Sequence, residues 1–290
     1  KKVLVTGAGG SIGAEIVKQC LSYNPRVVYS LDRDESALHA LELETSGTGL
    51  MIDPSILLAD IRDKNAIYEI VQNIRPDIVF HAAALKHLPI LENFPTEAEK
   101  TNVLGTENVV AAALKAGTSI VVNISTDKAA DPSSILGKTK LKAEQIVAEY
   151  SNNFLKQKLI SVRFGNVIGS RGSVLHTFKY QIDNDLPLTI TDPEVTRYFM
   201  TVKEAVSLVL QSAVIGKSGE TLILDMGQPV KIEDVANFMI SESGKRIPIT
   251  YTGLRPGEKL HEILSSKTEN LSNREHPKIY HTRVGGTDNV

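Results

Sequence analysis

Apolar and polar positions follow two alternating periods through the first 165 residues. Short runs rich in Val, Ile and Leu at 2–6, 26–31, 55–58, 77–80, 119–124 and 159–164 read as strands. Stretches with apolar residues at helical spacing separate them, at 12–21, 36–43, 96–116 and 133–150. A further helix opens at Asp63, with Ile67, Ile70, Val71 and Ile74 on one face. Strands that are apolar almost throughout are buried on both faces. Helical crossovers between successive strands make the sheet parallel. The expected fold class is therefore α/β, a doubly wound parallel sheet spanning 1–165. Past Gly165 the pattern loosens, broken at Gly169, Gly172, Pro187 and Pro193. A helix is expected at 202–214, a strand at 221–224 and a helix at 232–241. Residues 166–290 are expected to be mainly a smaller domain on the carboxyl edge of the sheet, with segments near 202–240 free to return to the first domain.

Composition narrows the partners. The 290 residues carry 32 Lys and Arg against 34 Asp and Glu, a net charge of −2, so no basic surplus points to nucleic acid. The single cysteine, Cys20, excludes an intrachain disulfide and favours a reducing compartment. No apolar run approaches the roughly 20 residues of a membrane span. The chain opens at Lys1 rather than Met, which leaves open a membrane region ahead of it. The histidines show no metal-ligand spacing, so no metal site is expected.

The first strand runs into TGAGGSIG (6–13). Gly7, Gly10 and Gly13 suit a tight turn, a close backbone approach to a pyrophosphate, and a helix packed against the sheet. Ser11 and Ile12 open that helix, where free N–H groups face phosphates. Asp32 ends the second strand, 19 residues after Gly13. A carboxylate there accepts the ribose hydroxyls of NAD and repels a 2′-phosphate. Arg33 would instead welcome that phosphate, so NADP stays open. Asp60 and Ile61 follow the third strand and are candidates for the adenine edge.

Several segments carry a resemblance: TGAGGSIG, HAAALKHLP (81–89), TNVLGTENV (101–109), STDKA (125–129), RFGNVIGSRGSV (163–174), TRYFMTVKEAV (196–206) and GLRPGEKLHE (253–262). Together they resemble the extended short-chain dehydrogenase/reductases, a Rossmann-fold family. Within it they are most similar to the nucleotide-sugar branch that includes UDP-N-acetylglucosamine 4,6-dehydratases. The resemblance implies a bacterial lyase of capsule, O-antigen or glycan biosynthesis, acting on a UDP-N-acetylhexosamine. It implies NAD, or NADP, held tightly and regenerated in each cycle. It further implies a homo-oligomer in the cytoplasm, or the cytoplasmic part of a membrane-anchored protein.

Such an enzyme moves hydride from sugar C4 to the nicotinamide, removes water across C5 and C6, and returns the hydride to C6. By resemblance Asp127 is the acid for the departing 6-hydroxyl and Lys128 the base at C5, both just past the fifth strand. Each must shift toward neutrality, and their mutual attraction opposes both shifts. Thr126, Lys128 or water is expected to take the C4 hydroxyl proton. Lys140 would hold the nicotinamide ribose. Leu136 stands where this family often has a tyrosine, four residues before the lysine, and leucine cannot transfer a proton. Ala82, Ala83 and Ala84 are small enough for the dinucleotide to pass close by. Lys86 and His87 are placed near substrate. Arg171, Arg197 and Arg255 are candidates for the UDP pyrophosphate. Asn166 would bond a phosphate or sugar hydroxyl, and Glu258 the uridine ribose. Two other activities fit the fold: a UDP-sugar 4-epimerase, and a catalytically silent NAD-binding protein.

Overall fold

A computed structural model describes residues 1–170 and 172–284. The first half winds as β1 (Lys2–Thr6), α1 (Ser11–Ser22), β2 (Val27–Asp32), α2 (Glu35–Ser46), β3 (Ile56–Leu58), α3 (Lys64–Ile74) and β4 (Ile78–His81). It continues through α4 (Leu88–Asn93), α5 (Pro95–Ala98), α6 (Gly105–Lys115), β5 (Ile120–Ile124), α7 (Ile135–Asn153) and β6 (Lys158–Arg163). Short polar side chains start the helices. Asp34 accepts from Ala37 N, Asp63 from Asn65 N and Ala66 N, and Ser134 from Gly137 N. Each occupies a first-turn amide that the helix itself leaves without a partner.

These six strands pair in parallel in the order β6-β5-β4-β1-β2-β3. The two faces are covered separately. Ile16, Val17 and Cys20 of α1 join Val206 and Val209 in one core. Ile67 and Val71 of α3, Val109 and Val110 of α6, and Val147 of α7 form the other. The α/β doubly wound class expected from the sequence is the class observed.

The second half runs β7 (Asn166–Ile168), α8 (Val174–Asp183), β8 (Leu188–Ile190), β9 (Thr196–Arg197), β10 (Phe199–Thr201), α9 (Val202–Ile215) and β11 (Thr221–Leu224). Then come β12 (Val230–Lys231), α10 (Ile232–Ser243), β13 (Ile249–Tyr251), β14 (Ser272–His276) and β15 (Ile279–Thr282). β11 adds to the main sheet beside β6, in parallel. The hairpin β14–β15 extends the sheet antiparallel to β11. A separate small core gathers Phe178 and Ile182 of α8 with Leu188, Ile190, Ile232 and Ala236.

Two features depart from the sequence expectation. The hairpin was not foreseen, because SNREH (272–276) has no apolar run to mark it. The helix expected at 96–116 is interrupted: Glu99–Leu104 winds as a π-helix between α5 and α6. The wider turn brings Thr101 and Asn102 inward, and Asn102 is fully buried.

Candidate functional site

The β1–α1 turn forms a tight cradle. Gly7 has φ +70°, and a Cβ there would come within 2.5 Å of Ala83 N. A Cβ at Gly13 would lie 2.0 Å from Gly7 O, so helix and turn meet backbone to backbone. Asp32 Oδ2 accepts from Gly9 N at 2.8 Å, which ties the end of β2 to the same turn. Gly7, Asp32, Arg33, Asp60, Ile61, Ala82, Ala83 and Ala84 line one pocket of about 140 Å³. Arg33 leans toward Asp60, at 3.6 Å. Burial would raise the Asp60 carboxyl, but its bonds from Arg62 outweigh that and hold it below the usual range.

A larger cavity of about 540 Å³ continues from this turn across the carboxyl ends of β4, β5 and β6. Gly10, Ser11, Ile12 and Gly13 lie at one end; Thr126, Lys128, Lys140 and Asn166 lie at the other. Lys86 and His87 also line it. Burial and the Lys86 charge draw the His87 imidazolium below its ordinary range. Leu136 is 5% exposed, packs with Leu91 and Ala98, and reaches the cavity wall. Lys140 is buried and donates to the Ile124 carbonyl at 2.7 Å. Burial lowers its ammonium to about 8, opposed in part by Glu144 one helical turn on.

Asp127 lies beneath the cavity and Lys128 faces it. Residues 127–129 form a single 3-10 turn whose start is capped by the Thr126 hydroxyl. Asp127 is fully buried, and its Oδ1 accepts from Thr126 Oγ1 at 2.8 Å and Lys128 Nζ at 3.0 Å. Its Oδ2 has no hydrogen-bond partner among the described residues. Lys128 Nζ also donates to Asn166 Oδ1 at 3.3 Å and lies 3.7 Å from Glu262 Oε1. Burial disfavours its charge, but the two carboxylates outweigh burial and hold the ammonium above its ordinary range. The shift toward neutrality asked of Lys128 is therefore absent in this arrangement.

The uridine-side candidates behave differently. Arg197 and Glu258 are paired with each other at 2.8 Å, and Arg197 also donates to the carbonyls of Thr196 and Leu260. Arg255 is more exposed, with Nε 3.8 Å from Glu258. These three stand off the cavity wall as described. Arg171 lies outside the described residues.

Four groups near the site were not singled out from sequence. Asn102 clasps Leu85 by both backbone groups, accepting from N at 2.8 Å and donating to O at 3.1 Å, and reaches Thr139 of α7. His81 lies between Thr6 and Thr106, at 2.7 and 2.9 Å. Thr106 gives its only hydroxyl proton to the Asn102 carbonyl, so His81 must donate from Nε2 and accept at Nδ1. Burial, aided by the Lys140 charge, drops that imidazole to about 3. Under the site, fully buried Arg163 forks onto Glu144 and Glu269, and Ser125 Oγ donates to the same Glu144. Glu262 is the most informative omission. Its neighbours in RPGEKLHE drew notice, but only the folded chain brings residue 262 to residue 128.

A parallel sheet with a glycine turn after β1, an acid closing β2 and a buried lysine on α7 is a Rossmann-like architecture with its open cavity at the carboxyl ends of the strands. The model of the polysaccharide biosynthesis protein family matches residues 3–284, and the chain belongs to that family. It is 45% identical over 288 residues to the capsular polysaccharide biosynthesis protein CapD of Staphylococcus aureus, covering 98% of this chain and 48% of that one. The chain thus spans about half the length of that relative. A UDP-N-acetylglucosamine 4,6-dehydratase (inverting) of Campylobacter jejuni is 34% identical, with 97% of this chain and 82% of that protein covered. A UDP-glucose 4-epimerase of Rickettsia canadensis is 32% identical, with 99% and 84% covered. The structure of Pen from Bacillus thuringiensis superposes with a TM-score of 0.90 at 36% identity, covering 99% of this chain and 88% of that one. Among the described residues no helix is long and apolar enough to cross a membrane.

Proposed function

We propose that this chain is a nucleotide-sugar 4,6-dehydratase acting on a UDP-N-acetylhexosamine, with UDP-N-acetylglucosamine the first substrate to test. The observation that carries the proposal is the buried Asp127 set directly behind the cavity-facing Lys128, at the far end of a cavity that begins at a dinucleotide cradle. Elimination of water needs an acid and a base held side by side, which turning over a ketosugar does not.

The cradle suits a dinucleotide: Gly7 and Gly13 leave no room for a Cβ on the protein side, and Asp32 offers a carboxylate where a ribose would lie. NAD is favoured over NADP, since Arg33 is drawn to Asp60. Bound there, the nicotinamide would supply hydride uptake from C4 and its return at C6. Lys140 would orient the nicotinamide ribose and add positive potential. Thr126 faces the cavity and would bond the C4 hydroxyl. Leu136 would exclude water from its stretch of the cavity wall. Lys128 would take the C5 proton, and Asp127 would protonate the departing 6-hydroxyl. One proton moved from Nζ to Oδ1 puts both groups in the required state without changing their summed charge. Arg171, Arg255, Asn166 and the Arg197–Glu258 pair are assigned to the UDP moiety as part of the same proposal, with Lys86 and His87 near the sugar. Residues 166–290 would act mainly as the substrate-binding domain.

The similar epimerase keeps one other chemistry in view, oxidation at C4 and reduction from the opposite face. Mass spectrometry of UDP-N-acetylglucosamine after incubation with the protein and NAD separates the two. A product lighter by one water supports the dehydratase, and Lys128→Ala should lose that product while its dinucleotide affinity stays near wild type. A product of unchanged mass but altered retention would replace the proposal with epimerisation.

A further inference from the structure

We propose that Glu262 is the positioning residue of Lys128: its carboxylate holds the ammonium from the side away from the cavity and governs how readily Nζ takes and releases a proton there. The inference rests on the dehydratase reading for its consequence, but not for its geometry.

The geometry is specific. The Glu262 side chain is 2% exposed, and Oε1 lies 3.7 Å from Lys128 Nζ. Oε2 is buried with no hydrogen-bond partner among the described residues. A buried carboxylate left half unsatisfied is costly, so a fold that keeps one commonly uses it. Asp127, which also contacts Lys128, presents the same condition through Oδ2. One ammonium thus stands within 4 Å of two buried carboxylates, where neutral side chains would have packed at lower cost.

The segment that carries Glu262 is anchored on both sides. Ahead of it, Leu260 O accepts from Thr196 N and from Arg197, and His261 bonds the Thr196 hydroxyl. Behind it, Leu264 O and the Glu269 carboxylate are gripped by Arg163. The carboxylate is therefore delivered to Lys128 by two built attachments from different elements.

The groups facing Lys128 are few. Asp127 lies beside it in the same turn, Glu262 reaches it from the C-terminal segment, the neutral Asn166 from β7, and the Arg197 guanidinium acts from β9. The carboxylates favour the ammonium; Arg197 and burial oppose it. Removing the charge of Glu262 while keeping its shape must therefore move the proton affinity of Lys128 downward. Because the groups are coupled, the midpoint belongs to the cluster as a whole.

The test is the pH dependence of Lys128 acylation by an amine-reactive reagent, read by peptide mass spectrometry, in wild type and Glu262→Gln. Lys140, which also lines the cavity, is the internal reference. The Lys128 midpoint should fall by about one pH unit or more in Glu262→Gln, with Lys140 unmoved. An unchanged Lys128 midpoint overturns the proposal. Should Glu262→Gln not fold, Glu262→Asp, which withdraws the charge by one methylene, is scored in the same way and must shift the midpoint in the same direction. No sugar enters this assay, so its failure is distinct from failure of the dehydratase reading. If turnover is found, the ascending limb of its pH profile must shift with the labelling midpoint. A purely structural residue would lower the rate at every pH alike.

Discussion

His81 shows how much one neutral side chain can hold. It ends β4, joins Thr6 at the end of β1 to Thr106 on α6, and does so only as the Nε2–H tautomer. An imidazole held down to about 3 refuses the proton that an unfolded one accepts near 6.5. The folded value lies below the unfolded one, so stability is undiminished above about pH 6.5 and is lost on acidification toward pH 3, by about 1.4 kcal/mol per pH unit. In His81→Asn, urea unfolding between about pH 6 and pH 4 should show a slope against pH flatter by that amount. Equal slopes would assign the acid sensitivity to other groups. At this scale the sequence was legible wherever a residue acts through its neighbours in the chain. The Gly7–Gly13 turn with Asp32 shortly after it, and separately the Thr126–Lys128 run, are each marked by short spacing in the chain. The Glu262–Lys128 and Arg163–Glu269 contacts were not legible in the same way, since each joins residues more than 100 positions apart.

At the scale of elements, periodicity located strands and helices well but did not register the π-helix. A shift from i+4 to i+5 bonding leaves the apolar spacing of 96–116 almost unchanged. The sign was chemical instead: Asn102, a buried amide inside an apolar helix, has to bond something. It clasps the Leu85 backbone and touches Thr139, linking the loop after β4 to α7. Asn102→Ala would leave both backbone groups of Leu85 without these bonds. A loss of about 1–3 kcal/mol in urea unfolding is expected. Weaker dinucleotide binding in a fluorescence titration should accompany it, because Ala82 to Ala84 line the pocket immediately upstream. Unchanged affinity would show that the loop holds its path without the clasp.

Over the whole molecule, one fully buried guanidinium reinforces the junction between the sheet of the first half and the C-terminal segment. Arg163 on β6 pairs with Glu144 of α7 and with Glu269, and supports the segment that carries Glu262. Arg163→Met would leave two carboxylates buried without their cation. A cost of about 3–5 kcal/mol is expected, measured as a lower urea midpoint at unchanged slope. Milder destabilisation would mean that the carboxylates reach water or take up protons once the arginine is gone. The doubly wound sheet could be read from alternation alone, but the closing hairpin could not. A polar strand such as SNREH becomes a strand only because β15 is there to pair with it.

The Arg163–Glu269 bond spans 106 residues of chain. A ribosome that has delivered the glycine turn and α7 has already emitted every residue of the nucleotide cradle. The carboxylates that steady Lys128 and Arg163 from the C-terminal side are still to come. On the proposed function, nucleotide capture and chemical competence would be separated in time during synthesis, and a chain cut short before residue 262 would be expected to take up its dinucleotide yet leave a UDP-sugar unchanged.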